Sequence, residues 1–252
     1  MKVRVLGCAG AEMPGFNPPA FLVNGRILLD AGTVGAVLHQ KEQEEIELAV
    51  ITHAHLDHVR GIPSLADNLV IAGARRKVII AGLPQVLGDL RRHLLNNAIW
   101  PDFSAIPSEE EAVLDFLEME PEQVLCWGDC RITLCPVHHC VPAAGILVRQ
   151  GDGALLYTGD TGPTERIWSM ADGVDALIVE VSFPNAMEKL ARAAGHLTPR
   201  LLAREMEKPS RPPPRIFVTH PKPRHLAVIE RELGELGIPG LILLKDGMSF
   251  EV

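Results

Sequence analysis

Three imidazoles and a carboxylate fall within six residues, His53-Ala54-His55-Leu56-Asp57-His58. Neutral imidazole nitrogen and carboxylate oxygen are the donors that a borderline divalent ion such as zinc takes. Burying four such groups without partners is costly, so a cluster this dense predicts a bound cation. Residues 48–52, Leu-Ala-Val-Ile-Thr, form an apolar, β-branched run that reads as a buried strand. In extended chain, positions two apart share a side, so His53 and His55 face the same way. Asp57 and His58 then open a helix or turn. The cluster therefore sits on a loop at a strand end, where one set of ligands can meet another.

The other strand ends repeat this pattern, an apolar run that stops at His or Asp. Val137-His138-His139-Cys140 closes one run, Thr158-Gly159-Asp160-Thr161-Gly162 closes a second, and Thr219-His220-Pro221-Lys222-Pro223 closes a third. Each is weak by itself, because a turn Asp commonly bonds its own backbone. Four in one chain predict a site assembled from both ends of the sequence, with His138 and His139 both open as donors.

The 252 residues suffice for one large core. Hydrophobic residues make up 47% and charged residues 22%, the balance of a globular protein. The net charge of −8 argues against a long polyanionic partner, which calls for a basic face. A small anionic substrate stays admissible, since bound cations invert the local field. The first residues alternate like a strand and lack a signal peptide's apolar stretch, and no segment is long enough to cross a bilayer, which predicts a cytoplasmic protein. Five cysteines, Cys8, Cys126, Cys130, Cys135 and Cys140, are an odd number with no Cys-x-x-Cys pair, so all five read as structural thiols, Cys140 pointing away from the site, with a ligand role beside His139 as its alternative. Gly7-Cys8-Ala9-Gly10 lacks the lysine of a phosphate-binding loop and reads as a turn.

The elements that must position these groups are short strands interleaved with helices. Strands are expected at residues 3–7, 20–23, 26–29, 48–52, 77–81, 124–126, 131–136, 145–149, 154–157, 176–181, 215–219 and 241–244. Helices are expected at 84–96, 164–170, 186–193, 199–207 and 224–233, the fourth opening on Thr198-Pro199 with proline at a favoured first position. Such a mixture predicts an α/β (α+β) fold of two packed sheets covered by helices.

The His-x-His-x-Asp-His motif resembles that of the metallo-β-lactamase superfamily, and the resemblance extends over nearly the whole chain. Within it the chain is similar to the class II cyclic-nucleotide phosphodiesterases. The similarity is carried by His55-Leu56-Asp57-His58, the 96–103 segment Asn-Asn-Ala-Ile-Trp-Pro-Asp-Phe, the 179–185 segment Val-Glu-Val-Ser-Phe-Pro-Asn, Gly195-His196-Leu197-Thr198-Pro199, and Thr219-His220-Pro221-Lys222-Pro223. The resemblance implies a single domain over 1–252, a four-layer αββα sandwich, with a lid insertion around 84–123. It implies two divalent ions, zinc foremost with manganese or iron as substitutes. One would be held by His53, His55 and His139, the other by Asp57, His58 and His220, with Asp160 between them. His139 is preferred to His138 for its distance to the Gly of the next strand.

Two divalent ions about 3.5–4 Å apart can trap a hydroxide and neutralise charge on phosphoryl oxygens. The resemblance then implies hydrolysis of a small cyclic nucleotide, such as cyclic AMP or cyclic GMP, to the nucleoside monophosphate. Asp57 would also orient the nucleophile. His196 would give the leaving oxygen its proton, and Glu180 would orient His196, the competing roles being a helix-flanking surface histidine and a surface or capping carboxylate. Asn97, Trp100 and Phe103 are expected to meet the base, with core packing as the alternative. Three other functions share this donor set: a ribonuclease Z-like tRNA 3′-end endonuclease, a thioester or lactam hydrolase, and a non-catalytic metal-bearing nucleotide-binding protein. The small anionic phosphodiester is the expected partner, without extended nucleic acid or membrane, and a homodimer is an assembly the superfamily often forms.

Overall fold

The computed structural model describes residues 1–74 and 76–252. In chain order the strands are β1 (Lys2–Gly7), β2 (Ala20–Val23), β3 (Ile27–Leu29), β4 (Leu48–Ile51), β5 (Val78–Gly82), β6 (Leu114–Glu118), β7 (Val124–Trp127), β8 (Cys130–Pro136), β9 (Ala144–Gln150), β10 (Gly153–Tyr157), β11 (Ala176–Glu180), β12 (Ile216–Thr219), β13 (Leu241–Leu243) and β14 (Ser249–Glu251). The helices are α1 (Gln40–Glu44), α2 (Leu56–Val59), α3 (Gly61–Ile71), α4 (Pro84–His93), α5 (Arg166–Ala171), α6 (Glu188–Ala194), α7 (Pro199–Glu205) and α8 (Leu226–Glu235).

Two seven-stranded sheets form, in the orders β14-β1-β2-β3-β4-β5-β6 and β13-β12-β11-β10-β9-β8-β7. Each is antiparallel in one half and parallel in the other: β3 through β6 run parallel in the first, β10 through β13 in the second. Side-chain alternation along the second sheet divides its two faces. Ala176 and Ile178 of β11 join the core shared with the first sheet, as do Ile146 and Val148 of β9. Leu177 and Val179 point the other way, into a core built with Ile167 and Trp168 of α5, Leu201 and Leu202 of α7 and Ile229 of α8. On the first sheet the covering layer includes α3 and α4, through Ile62, Leu65, Leu69, Val86, Leu87 and Leu90. The layers are therefore helix, sheet, sheet, helix.

Four elements lie outside the expected set: α1, α3, β6 and β14. The longest, α3, opens Gly61-Ile62-Pro63-Ser64, which reads locally as a turn. Proline is tolerated in a first helical turn, where its missing N–H has no partner to lose, and the stripe of Ile62, Leu65, Ala66 and Leu69 then buries. The range 84–123, expected as a lid, resolves into layer elements at both ends. Helix α4 packs through Val86, Leu87 and Leu90, and β6 adds an edge strand parallel to β5. Residues 94–113 form the irregular connection between them. No helix among the described residues is long and apolar enough to cross a membrane.

Candidate metal centre

Parallel strands that end at one edge of two facing sheets deliver their following residues to a common place. His53 follows β4, Asp160 follows β10 and His220 follows β12, while His139 lies beyond β8 and Asp57 and His58 begin α2. Two donor sets match the expected ligands, beside a third, overlapping set of Asp160, His196 and His220. His53, His55, His139 and Asp160 present one ligand atom each within 4.8 Å of one another, as do Asp57, His58 and His220. Asp160 lies between them: its Oδ2 is 3.7 Å from His53 Nε2, 3.4 Å from His58 Nε2 and 3.3 Å from His220 Nε2. Asp57 Oδ2 is 3.4 Å from His220 Nε2.

The outer hydrogen bonds assign the tautomers. His58 Nδ1 donates to Asp30 Oδ2 at 2.7 Å and His139 Nδ1 to the Gly195 carbonyl at 2.9 Å. The Thr52 hydroxyl donates to Asp30, so it accepts from His53 Nδ1 at 3.0 Å. Ser182 Oγ donates to Glu180 Oε2 and accepts from His220 Nδ1 at 2.8 Å. All four rings are thus left with an Nε2 lone pair turned toward the centre. His139 Nε2 faces His55 Nδ1 at 3.2 Å, and His58 Nε2 faces His220 Nε2 at 3.4 Å. Nitrogens brought this close to one another and to a carboxylate suit a cation among them. Two buried atoms, His53 Nε2 and Asp160 Oδ1, have no hydrogen-bond partner among the described residues, as expected of ligand atoms. The donor set fits divalent metal.

The field in the cluster has the same sense. Burial acts to lower the His58 pKa, but the carboxylates of Asp160 and Asp30 outweigh it and hold the imidazole well above its usual range. Burial acts to raise Asp160, yet His220 and His58 keep its carboxyl well below the carboxylate range. His53, buried beside His58, is held well below the histidine range.

Around this cluster the sequence-predicted residues separate into two groups. His196, buried, stacks on His220 with ring centroids 5.5 Å apart and meets His139 edge-on at 5.1 Å. Its Nδ1 is 2.7 Å from Glu180 Oε1, at the end of β11. Burial opposes the charged form of His196, but the Glu180 carboxylate outweighs it and raises the pKa. Asn97, Trp100 and Phe103 form the second group. Phe103 is 3% exposed and belongs to the larger hydrophobic core, the packing role named above as the alternative. Asn97 Oδ1 accepts from the Asp102 amide, holding the loop together, and Trp100 is partly exposed on that loop.

Cys140 departs from expectation: it is exposed, and its Sγ lies 3.9 Å from His55 Nε2 and 3.7 Å from His139 Nε2, toward the cluster rather than away. His138 contributes its carbonyl, which accepts from Gly162 N at 2.7 Å. Sequence reasoning missed Asp30, Thr52 and Ser182, the groups that orient the imidazoles. Asp30 carried the one available signal, an acid directly after an apolar strand. Gly195 has a structural requirement of its own. It ends α6 at φ +70°, and a Cβ there would lie 2.9 Å from His139 Nδ1.

A family model described as the beta-lactamase superfamily domain matches residues 25–220, over half of the chain, and spans every donor described above. The chain belongs to the metallo-β-lactamase superfamily. Among superfamily relatives, a probable 3′,5′-cyclic-nucleotide phosphodiesterase of Yersinia pestis is 29% identical over 186 residues, 66% of this chain and 52% of that protein. The chain thus spans about half the length of that relative. A ribonuclease Z of Metallosphaera sedula is 26% identical over 239 residues, 79% of this chain and 81% of the relative. The structure of unliganded yeast PDE1 superposes with a TM-score of 0.81, covering 98% of both chains. At 19% identity, that likeness is one of superfamily fold.

Proposed function

We propose that this protein is a metal-dependent hydrolase of phosphodiesters, acting on a small cyclic nucleotide to give the nucleoside monophosphate. The observation that carries the reading is the convergence of two donor sets on Asp160, with the His196–Glu180 pair against their rim. Two divalent ions, zinc foremost, would supply an activated water there and would neutralise charge on the phosphoryl oxygens. His53, His55 and His139 would hold one, Asp57, His58 and His220 the other, with Asp160 shared. Asp57, on α2 at the rim and less buried than the histidines around it, orients the attacking water. Glu180 holds Nδ1 of His196, which leaves Nε2 to carry the proton taken by the departing ring oxygen. The net charge of −8 suits a compact substrate better than an extended polyanion.

A ribonuclease Z-like endonuclease is the second reading, favoured by relatives of that name that align over most of both chains. Incubating metal-loaded protein with cyclic AMP, cyclic GMP and a 3′-extended tRNA precursor separates the two. Loss of cyclic nucleotide with intact precursor is expected; trimming of the precursor alone would replace the first reading with the second.

The proton role of His196 gives a separate expectation. His196→Asn lowers kcat about 10²- to 10⁴-fold on a diester with an alkoxide leaving group. On a nitrophenyl diester, whose leaving group needs no proton, the loss stays within about ten-fold. Equal losses across a leaving-group series would assign His196 to positioning alone.

A further inference from the structure

Beside the metal centre lies a groove of about 540 Å³. His55 forms part of its wall, so it opens directly onto the first donor set. Its apolar lining includes Leu56, Ile99, Val141 and Pro142. Leu56 is 63% exposed and Ile99 65% exposed, an unusual solvent cost for two large aliphatic residues placed together. Its polar groups are Asp89 and His93, one turn apart on the same side of α4. The neighbouring cation, Arg91, is turned away, its guanidinium 4.3 Å over the Phe116 ring.

We infer that this groove receives the nucleobase of the bound nucleotide and that Asp89 selects guanine. A diester whose phosphate occupies the metal centre must project its organic part beside His55 or His196, and the groove continues from His55. The volume suits a nucleoside, and an aliphatic lining suits the faces of a flat ring. The carboxylate of Asp89 repels phosphate, so it admits the uncharged end of the ligand. A carboxylate only accepts hydrogen bonds, and it accepts two in parallel. Guanine presents adjacent N1–H and N2–H donors on one edge, adenine one amino group beside an acceptor. Asp89 is thereby a specificity-determining residue, with His93 as a second polar contact.

The inference rests on the nucleotide reading of the site, and binding measurements separate the two. Calorimetric titration of metal-loaded protein with GMP, AMP and inorganic phosphate is the test. GMP is expected to bind more tightly than AMP. Asp89→Ala is expected to weaken GMP about ten-fold or more while phosphate binding stays within two-fold. Ile99→Ser, on the exposed wall, is expected to weaken GMP and AMP alike. A fall in phosphate affinity equal to that in GMP, or unchanged GMP affinity in both variants, would overturn the assignment. If GMP binds with Asp89 dependence but no cyclic nucleotide is hydrolysed, the groove stands and the proposed activity falls. If cyclic nucleotides are hydrolysed irrespective of base and of Asp89, the activity stands and the groove assignment falls.

Discussion

Asp160→Ala lowers hydrolysis of a nitrophenyl phosphodiester by on the order of 10³-fold, and the purified variant carries about one divalent ion per chain or fewer where the parent carries two. Asp160 is the only carboxylate in the described structure whose oxygen lies within 4 Å of donors from both sets, His53 on one side and His58 and His220 on the other. Its removal takes a negative charge from a buried cluster that otherwise contributes mostly imidazoles. Two cations would then approach each other with less to screen their repulsion. Metal analysis by mass spectrometry reads the occupancy independently of turnover. A variant that retained two ions and its activity would move the shared-ligand role elsewhere. Asp160→Asn, which keeps the size and one acceptor, is expected to fall between the two.

The largest loss of stability is expected at Asp30, which touches neither ion position. Its carboxylate is fully buried and accepts from Thr52 N at 2.8 Å, Thr52 Oγ1 at 2.9 Å, His58 Nδ1 at 2.7 Å and Tyr157 OH at 2.8 Å. These donors come from the end of β4, from α2 and from β10, so one side chain ties the two sheets together beneath the metal centre. Asp30→Ala removes the acceptor they share and leaves the Thr52 amide, His58 Nδ1 and the Tyr157 hydroxyl buried without a partner, at a cost of about 3–5 kcal/mol. The residue also sits at φ +57°, a conformation that aspartate tolerates better than alanine. Urea unfolding measures the loss, run both with metal and with chelator because bound ions stabilise by mass action. The same variant frees the His58 ring, and metal affinity should fall about 10- to 100-fold. A shift below about 1 kcal/mol in chelator would show that water replaces the carboxylate.

The chemistry-bearing run was legible because its donors are adjacent in sequence. Strand-end geometry at residues 48–58 is local, and the period of two places His53 and His55 without knowledge of the rest. His139, Asp160 and His220 were legible as a repeated pattern, an apolar run closed by a donor. Their convergence needed the two sheets to pack with the same edge aligned, which is a long-range fact. Asp30 satisfies that local pattern as well as Asp160 does. Only the packed structure separates the acid that faces the imidazole Nε2 atoms from the acid that faces an Nδ1.

The elements divide in the same way. Strands with continuous apolar runs lie where expected, since burial on both faces enforces the pattern. Helix α3 was hidden by Gly61 and Pro63, whose local preference for a turn yields to the burial of Ile62, Leu65 and Leu69. Phe103 shows the opposite failure. An aromatic residue beside proline in a long connection has the local appearance of a ligand contact, yet tertiary packing draws it into the core. By itself the sequence determined the metal-binding chemistry and the layered fold, because both follow from short-range periodicity and donor type. Tertiary structure alone decided which nitrogen of each histidine faces inward and which acid sits between the donor sets, because those depend on partners from separate strands.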